Sequence, residues 1–150
     1  MTLYGIFVLI HVISAVVGLG ASFALPSIIN SPQTAKDARY SLLLNAKVEV
    51  FAKVGSITLL VTGLILGALN TTLFTTGWYV TSILIYIGVQ FIVAGVMPRT
   101  IKTMESSLTD YNDEDLPAGY TEGVLKLKLY TAIVHSAVVI LIILMVVKPF

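Results

Sequence analysis

Two residues of this sequence are suited to chemistry above the rest: His11 and His135, its only histidines. Each stands in a long segment without Asp, Glu, Lys or Arg. An ionisable ring at membrane depth is expensive and marks a functional site by default. Neutral imidazole is the commonest metal ligand and the usual proximal ligand of haem iron. The competing explanation is a buried histidine hydrogen-bonded to a neighbouring helix. After His11, the residues Ser14, Ala15, Gly18 and Ser22 follow at spacings of three and four, so one helical face carries small side chains beside the ring. Such a groove suits close helix packing, and it equally suits a flat macrocycle. By helix rise, His11 lies ~12 Å and His135 ~20 Å from the same side of the membrane. Helix tilt of about 20° absorbs part of that difference. The expectation is therefore one site shared by both histidines between the first and fourth helices.

Other chemistries have less to work with. The chain has no cysteine, which excludes disulfides, iron–sulfur clusters and thiolate metal sites. Two histidines without a nearby carboxylate do not close a zinc site of four ligands. Copper is an alternative, with Met97, Met104 or Met145 as soft donors. The acidic run "DYNDED", Asp110 to Asp115, has Asp115 where a calcium loop needs glycine and Thr121 where it needs glutamate. It reads as a solvated turn. No nucleophile–base–acid constellation, phosphate-binding glycine loop or basic patch for nucleic acid is present. The remaining polar groups at depth are Thr58, Thr62, Tyr86 and Gln90.

The elements that position these groups follow from charge and hydropathy. Only 11% of the 150 residues are charged, where a soluble domain carries about a quarter. Charge is absent from Met1 to Gln33, from Val54 to Pro98 and from Leu129 to Val147. A spanning helix needs ~20 apolar residues, so the outer gaps hold one span each and the middle gap holds two. The predicted fold is an all-α polytopic membrane protein, a single domain forming an antiparallel four-transmembrane-helix bundle. The spans are expected at about 3–29, 48–69, 79–97 and 124–147. A helical extension is expected at about 34–47, and a polar loop at about 99–123. The start "MTLYGIF" lacks the basic n-region of a cleaved signal, so the first span is expected to be permanent.

Basic residues set the orientation. Lys36, Arg39, Lys47 and Lys53 belong to the first connection, and Arg99, Lys102, Lys126 and Lys128 flank the third. The second has none. The positive-inside rule then puts connections one and three in the cytoplasm and both termini outside. Small-residue faces are expected to pair two copies as a homodimer, whereas "GLILG", Gly63 to Gly67, needs nothing more than helix packing.

Three short stretches carry a resemblance. His11 with Phe23, Leu25 and Pro26, spaced H-x11-F-x-L-P, resembles the first helix of HemJ-type protoporphyrinogen oxidases. "LLVTGLILG" is similar to the second helix of that group and of CopD-like proteins, and "LMVVKPF" resembles the ending of uncharacterised bacterial integral-membrane families near them. The resemblance implies a small protein of the bacterial inner membrane in which His11 binds haem b. This chain has Gly18 and Ser27 where HemJ-type proteins have tryptophan and arginine, and no lysine closely follows Trp78. Those departures remove the basis for protoporphyrinogen oxidation. The expected function is a b-type haem membrane protein with a redox or electron-transfer role, exchanging electrons with an unidentified donor or acceptor. Its cofactor site is expected at His11, His135, Ser14, Gly18 and Ser22, with His11 and His135 as iron ligands. The alternative is a cofactor-free transporter or accessory protein whose histidines are structural.

Overall fold

The computed structural model describes residues 2–150. Its helices are α1 (Leu3–Asn30), α2 (Ala35–Leu69), α3 (Gly77–Gln90), α4 (Met97–Leu108) and α5 (Ala118–Val147). A 3-10 turn, Thr71–Thr75, joins α2 to α3, and a π-helical segment, Phe91–Val96, joins α3 to α4. The last three pieces of the middle chain make one rod, Gly77–Leu108, so four rods are long and apolar enough to cross a bilayer. The chain is an all-helical, multi-pass bundle. It has a loop end, where α1 passes into α2 and α4 into α5, and a terminal end holding the Thr71–Thr75 turn and residues 148–150.

The starts of α1 and α2 are capped as their sequences dictate. Thr2 accepts from the Gly5 amide and Thr34 from the Asp37 amide, each at 3.2 Å. Between the two helices runs the most extensive packing in the chain, and Gly18 meets Gly55 at its centre.

The third rod departs from expectation. Instead of stopping at Pro98 it continues for another ten residues. Pro98 enters at the first turn of α4, directly after the π segment, where its missing N–H and fixed φ are tolerated. From there Thr100, Met104 and Leu108 recur every four residues and bury one face. The fourth rod likewise begins at Ala118, before the expected 124, because Tyr120, Gly123 and Leu127 are buried against that face. Only residues 109–117 are left as connection.

A true apolar core forms at the loop end, from Ile29, Ala38, Leu42, Met104, Leu108, Tyr120 and Leu127. Met104 and Tyr120 are 0% and 1% exposed. Burying an apolar side chain of this size contributes roughly 1.5–3 kcal/mol. Here the end of α1 also finds partners for its orphan carbonyls. Ser41 donates to Ile28 O at 2.5 Å and Tyr120 to Ile29 O at 2.9 Å. Arg39 closes the end of α4 by donating to Leu108 O and Tyr111 O at 2.9 and 2.6 Å. Toward the terminal end the rods expose apolar faces instead, such as Val12, Val16, Ile143 and Val146, as lipid contact requires.

Candidate functional site

Between the rods lies a cavity of about 730 Å³, walled by all four rods, the third through α3, the π segment and the start of α4. Small-molecule and cofactor sites occupy about 300–1,000 Å³. Its walls are mostly apolar, and both histidines line it, at different depths.

His11 is held by α2. Its Nδ1 lies 2.8 Å from Thr62 Oγ1. The Thr62 hydroxyl has one proton, and the carbonyl of Thr58 takes it at 2.6 Å, with Leu59 O at 3.2 Å. Toward the histidine this hydroxyl is therefore an acceptor. The tautomer assigned by that network is Nδ1–H, which leaves the lone pair on Nε2. The ring packs over Gly63, where an added β-carbon would stand 3.5 Å from Cε1. A neutral imidazole with Nδ1–H donated to a fixed oxygen and Nε2 open is the form in which histidine ligates metal.

His135 is elsewhere. Its ring stacks on Phe23 with centroids 3.9 Å apart and planes 20° from parallel. It also faces the Ser22 carbonyl, which Pro26 leaves without its i+4 amide partner. Twelve residues of α1 separate Phe23 from His11, about 18 Å at 1.5 Å per residue. Metal–imidazole bonds are about 2.0–2.1 Å, so two nitrogens sharing one iron stand ~4 Å apart. The expected bis-histidine site is thus not formed. Depths counted from helix ends read off the sequence are uncertain by a turn or more, whereas the Phe23 stack ties the two helices together directly.

The small-residue groove has also been put to another use. Gly18 lies against the α2 backbone at Gly55, and a β-carbon there would come within 2.9 Å of Gly55 Cα. Ser14 is buried in the same seam and donates to Ile10 O at 2.8 Å. Ser22 reaches the cavity wall, with its hydroxyl donated to Leu19 O at 2.7 Å. The face expected to cradle a macrocycle is therefore mainly the α1–α2 joint. Gly63 and Gly67 are likewise covered from within, by His11 and by Phe74 and Tyr79. Among the copper donors, Met104 is sealed in the loop-end core, while Met97 and Met145 line the cavity. Among the described residues no three His, Cys, Asp or Glu side chains gather as a metal-binding group.

One polar cluster was missed. Ser56 Oγ lies 2.6 Å from Tyr86 Oη, Tyr86 donates to Ser56 O at 2.6 Å, and Gln90 donates to Ser56 Oγ at 3.0 Å. Tyr86 and Gln90 had been noted singly, but Ser56 had not. The signal was present on α2, where Glu49, Lys53, Ser56 and Gly63 recur at helical spacings on the cavity side. Glu49 and Lys53 pair at 2.9 Å toward the loop end.

No curated protein and no solved structure matches the chain. The model of a family described as predicted integral membrane protein (DUF2269) matches residues 6–149. That match covers nearly the whole bundle, including both histidines and the cavity they line, and the chain belongs to this family of integral membrane proteins.

Proposed function

We propose that this protein binds a b-type haem in the cavity and serves a redox role in a bacterial inner membrane, with the loop end cytoplasmic and both termini outside. The observation that carries the reading is His11, with Nδ1 committed to Thr62 while its ring faces a mostly apolar 730 Å³ space. The features that favour the group are a neutral imidazole with Nε2 uncommitted, mostly apolar walls, and Gln90 in the wall as a polar group for a carboxylate. Haem, when bound, supplies one-electron chemistry at iron. The chain supplies the rest. Thr62 fixes the ring and its tautomer, Gly63 leaves room for it, and the apolar walls disfavour water beside it. His135 is assigned to structure, through Phe23 and the carbonyl that Pro26 frees.

The test is direct. Protein purified after growth with ample haem should show a Soret band that His11→Ala abolishes, and that Thr62→Val weakens. A colourless wild type overturns the reading. The bond to Thr62 favours one competitor, in which His11 is only a brace between α1 and α2. Under that reading His11→Ala lowers thermal stability and changes no absorption.

A further inference from the structure

The buried seam of α5 runs through Val134, Val138 and Leu141, at steps of four and three; Met145 is the next residue on that face and is 40% exposed, toward the cavity it lines. Met145 lines the same cavity as His11. Its depth can be set from the Phe23–His135 stack, which fixes where α1 and α5 coincide. Met145 lies ten residues beyond His135 toward the terminal end, about 15 Å, and His11 lies about 18 Å beyond Phe23 in the same direction. Both reference rings and both candidate donors project toward their own helix N-termini, so that tilt cancels in the comparison. His11 and Met145 are level to about 3 Å on facing helices. Among the described residues no other sulfur is as well placed, since Met97 sits at the start of α4 beyond the π segment and Met104 is buried in the loop-end core.

We propose that Met145 is the second axial ligand, its thioether sulfur meeting the iron held by His11. This rests on the haem reading above and replaces His135 in that role. The chemistry suits the position: methionine is long, unbranched and polarizable, and its neutral sulfur enters an apolar wall without a charge to bury. A histidine–methionine pair fills both axial positions and raises the reduction potential relative to two histidines, which points to electron transfer and away from oxygen binding.

The experiment uses the full chain, loaded with haem in detergent, and reads spin state by electron paramagnetic resonance, carbon monoxide binding by the reduced form, and reduction potential. The wild type is expected to be low-spin and inert to carbon monoxide. Met145→Leu, which nearly conserves volume, should keep a His11-dependent Soret band, become high-spin and bind carbon monoxide. Met145→His should return the haem to low spin at a lower potential, a shift that a packing role would not produce. His135→Leu should leave spin state and carbon monoxide binding unchanged. If Met145→Leu stays low-spin and inert, or the wild type already binds carbon monoxide, this assignment fails while the haem reading stands. If the wild type has no Soret band, both fail.

Discussion

Gly18 and Gly55 meet backbone to backbone and set the register of α1 against α2. A β-carbon on Gly18 would stand 2.9 Å from Gly55 Cα, and one on Gly55 would stand 2.9 Å from Ser14 O. Neither obstacle is a flexible side chain, so neither can step aside. Seven residues, two helical turns, separate Gly18 from His11 on α1 and Gly55 from Thr62 on α2. The glycine contact therefore decides whether the His11–Thr62 bond can form.

Gly55→Ala should accordingly do more than destabilise. Overpacking of this kind costs about 1–3 kcal/mol. It should appear as a lower thermal midpoint in detergent and, on the haem reading proposed above, as weaker haem retention because Thr62 shifts from His11. Gly20→Ala is the control: a β-carbon there meets nothing within 4 Å. An unchanged midpoint for Gly55→Ala would mean that the close approach does not hold these helices.

Tyr120 ties α5 to the end of α1. Tyr120→Phe keeps the buried ring and removes the bond to Ile29 O, leaving that carbonyl buried and unpaired. The expected loss is about 1–3 kcal/mol in thermal or denaturant unfolding. Haem absorption should be unaffected, because this contact lies in the loop-end core.

His135→Leu separates structure from ligation in the opposite sense. It removes the stack on Phe23 and the ring facing the Ser22 carbonyl, so the thermal midpoint should fall. The Soret band per folded protein should stay. Loss of the band with an unchanged midpoint would restore His135 as a ligand.

The loop end carries a pH-dependent contact. The Tyr111 hydroxyl donates to Asp115 at 2.6 Å, and this bond raises its pKa from 10.0 to about 12. The neighbouring carboxylate disfavours a second negative charge. Because the folded value lies above the unfolded one, the contribution is fully present below pH 10 and is lost as the pH climbs toward 12. Ultraviolet titration of Tyr111→Phe against the parent should remove one high-pH phenolate step. In Asp115→Asn, Tyr111 should ionise at lower pH than in the parent.

The sequence by itself determined the number of rods and the lipid-facing character of their outer surfaces, and it singled out His11 as an ionisable ring at membrane depth. These are properties of composition and local period. Forty-five consecutive uncharged residues cannot be reconciled with a soluble fold, and a lone imidazole in hydrocarbon demands a partner whatever surrounds it. Tertiary structure decided which groups share a depth. Helix ends are uncertain by a turn or more when read from sequence, and each residue of error moves a side chain by 1.5 Å. That was enough to set His135 beside His11 on paper, whereas its stack on Phe23 places it some 18 Å away. The same reason explains Thr62 and Ser56. Each occupies an ordinary position on its own helix, and only the packing of α2 against α1 and α3 shows that Thr62 meets His11 and Ser56 meets Tyr86 and Gln90.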